Sequence, residues 1–72
     1  MISTKGKDSV LKLLEAGASV EVDGSKYGGD TLIEFANALR SGATLKVENS
    51  DSKSVETLLA VVAGRPEAVI VA

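Results

Sequence analysis

Between Thr31 and Glu48 the spacing of apolar residues changes from a helical to an extended period within one short stretch. Leu32, Phe35, Ala36 and Leu39 recur at i, i+3, i+4 and i+7, which gathers them on one face of a predicted helix. Thr31 and Glu34 stand in the S/T-x-x-E arrangement of a capping box, so Thr31 is the expected N-cap. Arg40 is expected in the last turn, where a cation meets the negative end of the helix dipole. Gly42 suits the left-handed position that ends a helix. Beyond it the period is two: Leu45 and Val47 point one way, and Thr44, Lys46 and Glu48 the other. A helix of about 11 residues and a strand of about 5 both span roughly 16 Å, so one can lie along the other.

Weaker versions of this unit flank it. Val10, Leu11, Leu13 and Leu14 predict a helix capped by Asp8 or Ser9 and ended at Gly17, followed by a strand that places Val20 and Val22 on one face. Val55, Leu58, Leu59 and Val62 form the stripe of a third helix, capped by Ser52 or Ser54 and ended at Gly64. Arg65-Pro66 forces a turn before the last strand, Glu67 to Ala72. Gly17, Gly42 and Gly64 hold the same place in each unit, and Val20/Val22, Leu45/Val47 and Val69/Val71 correspond once the Arg65-Pro66 insertion is allowed. The expectation is one small α/β domain over residues 1–72, built of three helix–strand repeats at about 8–23, 30–48 and 54–72, with residues 1–7 as a polar lead-in. The leucine-rich pattern L-x-x-L-x-L-x-x-N would require leucine at 42 and asparagine at 50, where Gly42 and Ser50 stand.

Helical crossovers make the strands parallel. The first two strands alternate cleanly, whereas a sheet covered on both faces reads as continuous apolar runs. This favours a three-stranded parallel sheet in the order 1-2-3 with all helices on one face. Glu21 and Lys46 then meet as a cross-strand pair on the open face. The competing arrangement puts the all-apolar third strand in the centre.

Composition narrows the chemistry. The chain has 72 residues with no cysteine and no histidine, which removes disulfides, thiol chemistry and the commonest general base and metal ligand. A chain this short is marginal alone, and self-association is the remaining common way to stabilise it. The net charge is −2 with both signs scattered, so neither nucleic acid nor an anionic membrane is an expected partner. No apolar run approaches the ~20 residues of a membrane span, and the first residues lack the apolar core of a secretory signal, so a cytoplasmic protein is expected.

Three places can carry function. The loop containing Gly24, Lys26, Tyr27, Gly28, Gly29 and Asp30 follows a strand and precedes a helix, where α/β proteins place phosphates. It does not fit the Walker pattern, and the plainer reading is a turn with Asp30 or Thr31 as cap. Asp23, Asp30, Glu48 and Asp51 gather near the same strand ends, but their spacing matches no metal-binding loop, so no metal or cofactor is assigned. In the last strand Ala68, Ile70 and Ala72 face away from the helices and form a candidate interface, unless that strand is central and covered. The expected function is a small non-catalytic structural or protein-interaction module that pairs with itself or with another protein through its sheet. The alternative is a small-ligand, phosphate or divalent-cation binder using the loops after strands one and two.

Overall fold

A computed structural model describes all 72 residues. The chain runs α1 (Lys7–Glu15), β1 (Val20–Asp23), α2 (Gly29–Ala38), β2 (Leu45–Glu48), a 3-10 turn (Ser50–Ser52), α3 (Val55–Ala63) and β3 (Val69–Val71). The three strands form a parallel sheet in the order β1-β2-β3, so β3 lies at an edge rather than in the centre.

The period-two pattern fixes the two faces. Val22, Leu45, Val47 and Val69 join Val10, Leu14, Leu32, Phe35, Ala36 and Val61 of the helices in one buried cluster. Glu21, Lys46 and Ile70 are adjacent in register and point away from that cluster, so all three helices cover the same face. The expected pair is present: Lys46 Nζ lies 4.0 Å from Glu21 Oε2, and closer, at 2.9 Å, to Glu48 Oε1.

The lead-in does more than its polarity implies. Ile2 lies beside β1 in parallel, with its N–H donating to Glu21 C=O at 2.7 Å and its C=O accepting from Asp23 N–H at 2.8 Å. Ile2, Val22, Val47 and Val71 therefore form one row across the sheet.

Helix ends differ from expectation in particular ways. The first helix closes as expected: Gly17 takes φ +95°, Ala18 N–H donates to Leu13 C=O and Gly17 N–H to Leu14 C=O, a Schellman motif. Its start is earlier than expected, with Gly6 as N-cap and Asp8 inside the first turn. In α2, Gly28 rather than Thr31 is the N-cap, and Glu34 pairs with Lys7 at 3.0 Å instead of closing a capping box. The early start has a packing cause: Gly29 lies against α3, where a Cβ would sit 2.7 Å from Thr57 Cγ2. That helix ends at Ala38, so Gly42 (φ +88°) belongs to a separate turn closed by Ala43 N–H to Arg40 C=O. Arg40 meets the carboxyl end of α1 rather than its own helix, donating from Nε to Glu15 C=O at 2.6 Å. Ser54 caps α3 as expected, accepting from Thr57 N–H at 3.2 Å.

The largest correction concerns α3. Val61 is its fully buried residue, whereas Val55 and Leu59 of the expected core stripe are exposed, and Leu58 and Val62 are half-buried.

Candidate functional site

The glycine loop between β1 and α2 is held together by its own bonds. Asp23 Oδ1 accepts from Ser25 N–H at 3.0 Å and from Ser25 Oγ at 2.6 Å, the geometry of an Asx turn. The Ser25 hydroxyl is the main cause that holds the Asp23 carboxyl below its ordinary range, followed by the Ser25 amide, against the opposing effect of burial. Gly24 donates its N–H to Glu48 C=O at 2.6 Å and gives its C=O to Lys53 Nζ at 2.8 Å. A Cβ at Gly24 would lie 2.8 Å from Glu48 O and from Val47 Cγ1, so the glycine permits close approach of the two strand ends. Tyr27 is buried edge-on to Phe35, with ring centroids 5.2 Å apart, and its hydroxyl donates to Lys5 C=O at 2.6 Å. Burial, aided by the charge of Asp23, raises the Tyr27 hydroxyl above its usual value. Gly28 and Gly29 open α2, with Asp30 in its first turn. Asp23, Gly24, Ser25 and Tyr27 of this loop thus have structural tasks, while the side chains of Lys26 and Asp30 are exposed.

The carboxylates do not converge. Asp23 is engaged by Ser25 and Glu48 by Lys46, and no group of three acidic side chains is disposed to hold a metal ion. The two concavities of the molecule lie at the opposite end of the sheet. One, of about 560 Å³, is lined by Glu15, Leu39, Arg40, Ser41 and Arg65. The other, of about 300 Å³, adds Thr44 and Glu67 to the two arginines. Both sit beside carboxyl ends of helices, and at one of these Glu15 presents its carbonyl oxygen to Arg40. The sequence carried a signal for this pairing, since Arg40 and Arg65 follow their helices at equivalent places.

The third place is the edge of β3. Ala68 C=O accepts from Leu45 N–H, and Ala72 N–H donates to Val47 C=O, so even-numbered residues of this strand turn their backbone toward β2. Val69 and Val71 consequently direct theirs outward. Val69 N–H is taken by Arg65 C=O at 3.1 Å, which leaves Val69 C=O and both groups of Val71 unpaired along the edge. Of the expected interface residues, Ile70 is 51% exposed on the open face, Ala72 is exposed and Ala68 is half-buried.

Beside this edge stands a second apolar strip. In α3, Thr57 abuts Gly29 and Gly64 abuts Asn37, so that side of the helix faces α2. At 100° per residue, Val55, Leu58, Leu59 and Val62 occupy the side turned away from α2. Val55 is 69% and Leu59 63% exposed. The same four residues are the stripe that the sequence predicts for this helix; the signal for its outward position is that α3, VETLLAVVA, is apolar nearly all round, so one stripe can face the sheet and another the open end.

No family model matches the chain, and no curated protein or solved structure shows significant similarity to it.

Proposed function

We propose that this chain is a non-catalytic protein-interaction module whose working surface is the open end formed by β3 and the outer side of α3. It receives an extended protein segment along β3, with backbone bonds supplying affinity and the strip on α3 supplying apolar contact. The observation that carries this reading is the open backbone of the edge. Natural edge strands are blunted by shortness, lysine, inward charge, bulges or a covering segment; Val69-Ile70-Val71 is short and Arg65 C=O holds Val69 N–H, yet the strand has no charge and leaves Val69 C=O and both groups of Val71 free. An exposed isoleucine and an exposed valine–leucine pair are grouped at that same end. The residue inventory agrees, since a chain without histidine or cysteine lacks the usual nucleophile–base pairs.

Backbone amide shifts of labelled protein, titrated with extended apolar peptides selected from a randomised display library, test this reading. The expected result is perturbation at Leu58, Leu59 and Val69–Val71. Perturbation confined to residues 23–31, or to the surroundings of Arg40 and Arg65, would move the function elsewhere.

A further inference from the structure

Resting on that reading, we propose that the segment received at the open end is β3 of a second copy of this chain, related by a two-fold axis that passes beside Ile70. The two sheets then become one six-stranded sheet with antiparallel β3 strands at its centre and the two α3 helices packed antiparallel above them.

Three observations lead to this occupant. The first is that only one end of the sheet is open. Ile2 occupies the edge of β1 with two backbone bonds, so β3 of one copy cannot add to β1 of the next. Head-to-tail stacking, which generates rings or filaments, is closed off, and an isologous contact through the open ends remains.

The second is that both elements at the open end are symmetric about their own centres. Ala68-Val69-Ile70-Val71-Ala72 reads the same in both directions. Antiparallel pairing centred on Ile70 sets Ile70 on the partner's Ile70, valine on valine and alanine on alanine. The strip on α3 has the same property: Val55-x-x-Leu58-Leu59-x-x-Val62 is symmetric about the Leu58–Leu59 junction. An antiparallel helix pair sets Val55 against the partner's Val62 and Leu58 against the partner's Leu59. No charged side chain lies in either series, so the axis brings no like charges together.

The third is that this register uses two of the three groups left unpaired, Val71 N–H and Val69 C=O, and leaves Val71 C=O without a donor. Val71 N–H of each copy reaches the partner's Val69 C=O, giving two equivalent bonds across the axis. Val69 N–H keeps its bond to Arg65 C=O. Ile70, whose backbone faces β2, then falls at a non-hydrogen-bonded antiparallel position, where Cα atoms approach to about 4.5 Å.

Light scattering over a concentration series up to about 1 mM, combined with oxidative cross-linking, tests the proposal. The native chain is expected to reach twice its 7.4 kDa mass. Because the sequence has no cysteine, Ile70→Cys introduces a single thiol, and its spacing to its twin falls in the range a disulfide spans. The variant is expected to cross-link to a covalent dimer, while Glu21→Cys at the closed end is not. Ile70→Lys and Leu59→Lys, both at exposed positions, are expected to keep the monomer's thermal unfolding and to weaken dimerisation about 30-fold or more. A native chain that stays at 7.4 kDa throughout overturns the proposal, as does a dimer that Ile70→Lys leaves unchanged. A monomer whose Val69–Val71 amides still respond to selected peptides separates the two readings: self-pairing falls and the interaction module stands.

Discussion

The two edges of the sheet are built from the same row of residues and are finished in opposite ways. Ile2, Val22, Val47 and Val71 stand side by side. At the β1 edge, Ile2 pairs with the strand, and the chain just beyond it is fastened where Tyr27 donates to Lys5 C=O. At the β3 edge, Val71 has no neighbour on its outer side. The helices repeat the contrast. Val10 and Leu14 of α1 are fully buried, whereas Val55 and Leu59 of α3 are largely exposed. The comparison teaches that an apolar stripe of regular period specifies a face to be covered without naming the cover. In α1 the rest of the same chain covers Val10 and Leu14 and leaves Leu13 38% exposed; in α3 the core takes Val61, and Val55 and Leu59 of the regular stripe are left largely exposed.

The largest expected effect sets the two helices directly against each other. Leu14→Ala removes a fully buried side chain and is expected to cost about 2–5 kcal/mol at any protein concentration. Leu59→Ala removes a side chain that is mostly in water. At a concentration where light scattering gives the monomer mass, its cost is expected to stay within about 0.5 kcal/mol. Urea unfolding of both variants measures the gap. Equal losses would mean that the outer stripe of α3 belongs to the core, and the contrast between the ends would disappear.

The next effect attacks the closed edge. Ile2→Pro removes the N–H that bonds Glu21 C=O and is expected to destabilise the fold by about 1–2 kcal/mol. Faster hydrogen exchange at the Asp23 amide, whose partner is Ile2 C=O, would report that the edge itself has loosened. If exchange there is unchanged while stability falls, the loss comes from side-chain packing of Ile2 and not from edge pairing.

How much of this was legible follows from where each pattern gets its information. The alternation of helix and strand yielded parallel strands, and strand alternation, which is local, yielded the order β1-β2-β3 and the Glu21–Lys46 pair. Gly17 and Ser54 act within one turn of chain, and both perform the expected cap. The failures are contacts between segments distant in sequence. Thr31 loses the N-cap position because Gly29 fits under Thr57 of another helix, and Arg40 is drawn to Glu15 of a neighbouring one. Ile2 carries no strand pattern of its own, since one residue cannot alternate. For the sites, parity alone turns Ile70 outward, but the side of α3 that faces outward depends on how that helix rolls against α2. Close packing and phosphate binding both call for a missing Cβ, so the loop glycines alone do not distinguish them; Gly24 meets Glu48 and Val47.

The smallest effect probes the fastening at the closed end and carries its own pH signature. Tyr27→Phe keeps the ring against Phe35 and removes the bond to Lys5 C=O, an expected cost of about 0.5–1.5 kcal/mol, or a few degrees in Tm. Folding raises the Tyr27 hydroxyl above its ordinary value of 10.0, so folded chains hold that proton more tightly than unfolded ones. Its contribution is therefore fully present below pH 10 and is lost as pH rises through the folded-state value. The destabilisation caused by Tyr27→Phe should accordingly be constant between about pH 7 and 9 and shrink above pH 10, as the native chain loses what the variant never had. Lys46, raised above 10.5 first by its hydrogen bond to Glu48, has the same sign and weakens both chains together on the alkaline side. Asp23, held below 3.8, acts in the acid arm: its contribution is present above that value and is lost in both chains as pH falls through the lower folded-state one. Melting curves of the two proteins from pH 2 to 11 isolate the tyrosine as the only part that differs. A difference that persists undiminished at pH 11 would mean that the hydroxyl is not shielded, whereas no difference at any pH would mean that the closed end is fastened by Ile2 alone.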